Sequence, residues 1–160
     1  MEIERKYKIK AMPEHPEQYE TWEIEQAYLS SDPVVRIRRC NDRYILTYKS
    51  EAGAGADVRV NEEIEAPLTE ASYLHLLEKA DPYPISKTRY LIPLPDGYTA
   101  ELDVFHGRLE GLVFCEVEFP SVEASEEFVP PEWFEKDVSG DGRYANAYLA
   151  TLDSLDGMDL

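Results

Sequence analysis

SKTRYLIPLPDGYTAELDVFHGRLEGLVFCEVEF, residues 86–119, decides how this chain folds. Three runs within it, 86–92 (SKTRYLI), 98–105 (YTAELDVF) and 112–119 (LVFCEVEF), alternate with a period of two, and turns at Pro95-Asp96-Gly97 and His106-Gly107 separate them. That period is the mark of a β-strand, and connections this short make neighbouring strands antiparallel. Residues two apart on a strand share a face at a spacing of roughly 6.6 Å. Lys87 with Arg89, Glu101 with Asp103 and Glu116 with Glu118 therefore each put like charges on one side. The positions between, Leu102, Val104, Cys115 and Val117, are apolar and give the opposite face something to bury.

The same pattern extends back to the N-terminus. Residues 2–9 (EIERKYKI), 23–29 (EIEQAYL), 34–39 (VVRIRR), 43–49 (RYILTYK) and 58–65 (VRVNEEIE) read as five more strands, bringing the count to about eight. Glu2 and Glu4 share a face with Lys6, Arg36 with Arg38, and Glu63 with Glu65 in phase with Arg59, again beside apolar Ile37 and Ile64. SEAGAGAD (50–57) reads as a flexible connection. Pro67 and Thr69 open a predicted helix that runs to about Ala80, with Tyr73, Leu74, Leu76 and Leu77 on its apolar face and Asp81-Pro82 ending it. A Pro- and Glu-rich connection (120–137) leads to a last predicted helix near 143–154. There is no internal repeat, so the reading is a single domain over 1–155 with a frayed tail at 156–160.

For any one strand, a charged face is simply the wet side of a one-sided sheet. Taken together the strands resist that reading, because like charges adjacent on one face repel and an indifferent surface would mix them. Nor can the charges form a dry core, since desolvating an unpaired charge costs several kcal/mol. A sheet curled into a barrel of about eight strands resolves the conflict, leaving an interior for one small, highly charged ligand. The expected architecture is α+β dominated by β: a closed antiparallel eight-stranded tunnel with a few peripheral helices and a C-terminal helix. Arg and Lys suit phosphate oxygens, and carboxylates suit Mg²⁺ or Mn²⁺ bridging those same oxygens, so the lining points to a metal–polyphosphate complex.

Composition agrees. Lys plus Arg number 16 against 33 Asp plus Glu, a formal net charge of -17 that argues against nucleic acid and anionic membranes as partners. Two isolated cysteines, Cys40 and Cys115, do not make a disulfide framework, and no apolar stretch has the length of a signal or membrane span; a cytoplasmic protein, unprocessed as written, is expected.

The ExExK of Glu2, Glu4 and Lys6 resembles the signature of the CYTH, or triphosphate tunnel metalloenzyme, superfamily. RIR at Arg36–Arg38, LTYKS around Lys49, ExE at Glu63 and Glu65, KTRY at Lys87–Tyr90, ELDVF with Glu101 and Asp103, EVEF with Glu116 and Glu118, and the closing VSGDGRYANAYLA follow in that family's order. ExExK alone is common, whereas the ordered set is specific and spans nearly the whole chain. One departure is RVNEEIE, where Glu62 adds a carboxylate and leaves the register open by one residue. The compact length and IEQAYL look most like bacterial inorganic triphosphatases. The resemblance implies metal-dependent hydrolysis of inorganic triphosphate to diphosphate and phosphate. Alternatives are a class IV-type adenylate cyclase, a nucleoside or thiamine triphosphatase, or a sensor that binds polyphosphate or nucleotide without turnover.

By that resemblance Glu2, Glu4, Glu116 and Glu118 would hold Mg²⁺ or Mn²⁺, and Lys6, Arg36, Arg38, Lys49, Arg59, Lys87, Arg89 and Arg143 would bind the triphosphate. Glu63, Glu65 and Asp103, with Lys6, would serve catalysis by placing a second metal or the attacking water, and Glu101 would anchor a neighbouring arginine. Oligomeric state is left open. Several features carry no expectation of chemistry. GAGAG lacks the lysine and helix of a phosphate loop, and His15, His75 and His106 share no spacing. Cys115 falls out of phase with Glu116, Trp22 and Trp133 read as hydrophobic clamps in connecting segments, and Tyr144 with Tyr148 as a core-facing helical pair.

Overall fold

The computed structural model describes residues 2–51 and 59–156, with the backbone alone at residues 51 and 59–61. Nine strands form one antiparallel sheet: β1 (Glu2–Ile9), β2 (Glu20–Ser31), β3 (Val34–Cys40), β4 (Arg43–Glu51), β5 (Arg59–Leu68), β6 (Ile85–Pro93), β7 (Thr99–Phe105), β8 (Val113–Glu118) and β9 (Phe134–Asp137). The ladder runs β5-β4-β3-β2-β6-β7-β8-β1 and then returns, because β1 also pairs with β5. On one edge β1 pairs with β8 along Glu4–Tyr7. On its other edge its first residues, Glu2–Glu4, meet β5, and its last, Tyr7–Ile9, meet β9. The closing seam is thus three register pairs long, and the expected eight-stranded tunnel is completed with β9 as an addition.

Parity fixes which side chains look inward. On the outer face Ile3, Tyr7, Ile92, Leu102, Cys115 and Val117 pack beneath Phe119, Phe128 and Phe134, under a cover made by α2 (Val122–Glu127) and β9. Both covering elements lie in the segment read as a bare connection. Ser121 starts α2 by accepting from the Ala124 amide at 3.0 Å. A second outer cluster, Ala27, Ile37 and Tyr73, lies under α1 (Glu70–Leu77). Thr69 caps that helix through Ser72 at 3.1 Å, while Pro67 belongs to β5, and the helix stops three residues short of the predicted end. Ile64 does not bury: it stays 64% exposed, because no element among the described residues covers that part of β5.

A third cluster closes one end of the tunnel. Phe105 and Phe114, inward-facing on β7 and β8, meet Tyr28, Ile85, Tyr144, Leu149 and Ala150. The C-terminal segment supplies this plug as a turn at Gly142–Tyr144 and the four-residue α3 (Asn146–Leu149), not the long helix expected. Arg108 ties it down, donating to Leu149 O and Leu152 O of this segment at 3.1 and 2.6 Å, and to Tyr83 O and Pro84 O at 2.6 and 3.1 Å. Tyr144 is buried as expected, but Tyr148 is 42% exposed. The connection at 52–57 and the tail beyond Asp156 lie outside the described residues. No helix among the described residues is long and apolar enough to cross a membrane.

A two-walled tunnel as candidate active site

Inside the tunnel lies a cavity of about 390 Å³, within the range of small-molecule sites. Arg36 and Arg38 from β3, Arg43 and Lys49 from β4, and Arg89 from β6 line one side. Glu101 from β7, Glu116 and Glu118 from β8, Glu2 and Glu4 from β1, and Glu63 and Glu65 from β5 line the other. The strand order explains the sorting. The base-bearing strands β4, β3 and β6 fall on one side, with only β2, which lends neutral Trp22 and Tyr28, between β3 and β6; the acid-bearing ones run consecutively as β7-β8-β1-β5. The interior therefore has a cationic wall facing an anionic wall.

On the cationic wall, Arg36 and Arg38 find only neutral partners among the described residues. Arg38 Nε donates to Gln26 Oε1 at 2.8 Å, and Arg36 Nη2 reaches Thr47 Oγ1 at 3.4 Å. The buried Arg36 Nε has no acceptor among the described residues. Burial, and then the neighbouring Arg36, pull the Arg38 guanidinium down to about 9. Such a pair is costly without an anion. Lys49 is differently placed, 2.8 Å from Glu2 and 3.5 Å from Glu63. Burial opposes the Glu2 carboxylate, but Lys49 outweighs it and holds Glu2 below its ordinary value. Glu63 is pushed up to about 7, by burial and then by the hydrogen bond it shares with Glu2. Burial also raises Glu101 and Glu118.

Deeper in, the two walls lock together. Asp103, fully buried, accepts from Lys87 Nζ at 2.7 Å and from Arg89 Nε and Nη2 at 2.7 and 2.9 Å, while Arg89 Nη1 donates to Glu101 at 3.0 Å. Burial works against the Asp103 carboxylate, yet Arg89 and Lys87 keep it below the ordinary range. Lys87 is pulled down to about 7, chiefly by burial and against the attraction of Asp103. Lys6 Nζ donates to Tyr144 O at 2.7 Å, stands 3.9 Å from Glu116, and lies 4.4 Å over the Phe114 ring. Burial opposes ionised Glu116 as well, but Lys6, Glu4 and Arg89 hold it well below the usual carboxylate value.

The family model described as "CYTH domain" matches residues 1–139. The chain belongs to the CYTH family. A protein of Nitrosomonas europaea named inorganic triphosphatase is 36% identical over 152 residues, covering 93% of this chain and 96% of the relative. Another of that name, from Acetivibrio thermocellus, is 37% identical over 124 residues, 76% of this chain and 74% of the relative. A crystal structure of an inorganic triphosphatase superposes with a TM-score of 0.69 at 35% identity, covering 95% of each chain.

This CYTH domain brings most of the expected residues together. Glu2, Glu4, Arg36, Arg38, Lys49, Glu63, Glu65, Arg89, Glu101, Glu116 and Glu118 line the cavity, and Lys6, Lys87 and Asp103 sit beneath its surface, each nearly or wholly buried. Arg143 does not join them: it is exposed on the turn before α3 and pairs with Asp141, Nη2 to Oδ2, at 2.6 Å. The Arg59 backbone pairs with Glu4 in register; its side chain lies outside the described residues. Trp22 is not in a connection but on β2, opposite Arg89, and lines the cavity. Sequence reasoning also passed over Gln26, Tyr28, Arg43, Thr47 and Asn146. Parity could have found the first four, since Gln26 pairs with Arg38, Tyr28 with Arg36 and Thr47 with Arg36, and Arg43 is in phase with Lys49.

Proposed function

We propose that this chain hydrolyses inorganic triphosphate to diphosphate and phosphate in the tunnel, using a divalent cation, Mg²⁺ or Mn²⁺, on the acidic wall. The observation that carries this reading is the pair of guanidiniums, buried Arg36 and half-buried Arg38, without a carboxylate partner among the described residues and facing a wall of acids. The first feature calls for an anion. The second would repel a bare polyanion, since among the described residues the lining holds seven acids against five bases. A triphosphate accompanied by a hard cation satisfies both walls. The names of the relatives support the same substrate.

The donor set fits such a cation by chemistry, being all carboxylate oxygen from Glu2, Glu4, Glu116 and Glu118. Burial, and then the neighbouring Glu2, raise both Glu118 and nearby Glu63, and a positive charge relieves that cost. Among the described residues no three acids are already gathered as a ligand set, and Glu2 and Glu116 are engaged with Lys49 and Lys6. When bound, the cation neutralises phosphate oxygens and lowers the pKa of water. The protein's own part is positioning. Arg36, Arg38, Lys49 and Arg89, with Arg59 as a further candidate, hold the phosphates, and Lys87 meets them from below. Asp103, whose oxygens are taken by Lys87 and Arg89, aims those two cations. Glu63 and Glu65 remain at the cavity surface to orient the attacking water, and Lys6 steadies Glu116. The transition state is loose and gathers charge on non-bridging oxygens, so this arrangement needs no protein nucleophile. The free, buried Cys40 and Cys115 support a reducing cytoplasmic setting.

A phosphate-release assay with Mg²⁺ or Mn²⁺ on inorganic triphosphate, ATP and thiamine triphosphate, beside a cyclic AMP assay, tests this reading. Phosphate from inorganic triphosphate in preference to the others is expected. Cyclic AMP from ATP with no phosphate from inorganic triphosphate overturns it.

A further inference from the structure

The floor of the cavity comes from a segment distant in sequence: Ala145, Asn146 and Ala147. The Asn146 side-chain oxygen accepts from Lys87 Nζ at 3.1 Å and from Gln26 Nε2 at 3.3 Å. Gln26 is wholly buried, and its own oxygen receives Arg38 Nε at 2.8 Å. One chain of contacts thus ties Arg38 to Gln26, Gln26 to Asn146 and Asn146 to Lys87. An amide whose oxygen meets two donors has its orientation decided, with the NH₂ at the other end. No acceptor among the described residues takes the Asn146 Nδ2 protons, although the residue lines the cavity.

We propose that Asn146 donates from Nδ2 to a non-bridging phosphate oxygen at the closed end of the tunnel, and through its oxygen sets Lys87 and, by way of Gln26, Arg38. The assignment rests on the triphosphatase reading and adds a neutral donor to it. Neutrality suits the position. Lys6, Lys87 and Arg38 already crowd this depth with positive charge, and an amide offers a hydrogen bond without adding to their repulsion. Asn146 is also firmly placed, because the Arg108 clamp fixes Leu149 and Leu152 against Tyr83 and Pro84, just before β6.

Asn146→Asp separates this role from a merely structural one. The substitution keeps an oxygen for Lys87 and Gln26 but replaces the donor with a second carboxylate oxygen. Calorimetry with a non-hydrolysable imido analogue of inorganic triphosphate and Mg²⁺ should show affinity weakened about 30-fold or more, the scale of a hydrogen bond to a charged group. The melting temperature should stay near that of wild type. If Asn146 only accepts from Lys87, N146D binds the analogue as tightly as wild type, and the proposal falls. Asn146→Ala, which loses both ends, should also bind about 30-fold more weakly; affinity equal to wild type there overturns the proposal even if N146D fails to fold. A wild-type protein that neither binds the analogue nor releases phosphate overturns the triphosphatase reading itself, so the two failures are distinguishable.

Discussion

At the scale of the residue, two side chains on opposite walls define what the site asks for. Arg38 is half-buried against neutral Gln26 and pulled down to about 9, so its guanidinium, with no carboxylate partner among the described residues, is favoured by an anion. Arg38→Ala should therefore raise KM for inorganic triphosphate by about 10- to 100-fold, the worth of a charge-assisted hydrogen bond, while leaving the melting temperature unchanged or higher. Steady-state kinetics beside a thermal melt checks both parts, and an unaffected KM removes Arg38 from the phosphate site. Glu4 lines the acidic wall in register with Glu118. Glu4→Gln keeps its shape and loses its charge, so turnover should be abolished in a protein whose circular dichroism matches wild type; retained activity excludes Glu4 from the metal set.

At the scale of the element, strands were legible and their caps were not. Alternation at a period of two gave eight strands, and the charges at Lys87/Arg89 or Glu116/Glu118 gave their inner faces, because pleat geometry is local. Segments whose structure depends on what they pack against read poorly. The short β9 is held by β1, and α2 by the aromatic cluster around Phe128. Residues 143–154 looked helical but fold into a plug, because filling the tunnel end with Tyr144 and Leu149 outweighs helical propensity. Asn146 escaped notice although it stands in the closing VSGDGRYANAYLA run, because no alternation there shows which residues face the tunnel; its partners are on β2 and β6. Arg108, likewise unremarkable in sequence, holds the plug by joining two of its carbonyls, Leu149 O and Leu152 O, to those of Tyr83 and Pro84. Arg108→Ala should cost roughly 2–3 kcal/mol in urea unfolding, through the charge-assisted hydrogen bonds it removes, and should lower kcat as Asn146 loses its place. A loss under about 0.5 kcal/mol, the usual scale of a surface substitution, contradicts the clamp.

At the scale of the whole molecule, the tunnel is a balance of two opposed walls, and pH tilts it. Glu63 has a folded pKa of about 7 against an ordinary 4.5, and Glu101 and Glu118 are also raised. Groups raised in the fold take up protons there before they do in the unfolded chain. Their unfavourable contribution is full above pH 7 and fades as pH falls through the folded value. Without divalent metal, stability should then rise between pH 7 and 5, by about 2–5 °C in melting temperature. Asp103 and Glu116 are depressed, so the stability they contribute is present above their ordinary values and lost as pH falls through the folded ones, and the trend should reverse below about pH 4. Mg²⁺ should stabilise more at pH 7.5 than at pH 5.5, because protons compete for the same oxygens. A melting temperature that falls steadily from pH 7 to 5 would be inconsistent with a crowded acidic wall. The most direct test of the two-walled site is a crystal structure with Mn²⁺ and the imido analogue of inorganic triphosphate, recorded at the manganese edge. The account predicts an anomalous peak beside Glu2, Glu4 and Glu118 with phosphates on Arg36 and Arg38 across the cavity; an analogue seated outside the tunnel, or manganese away from these acids, would contradict it.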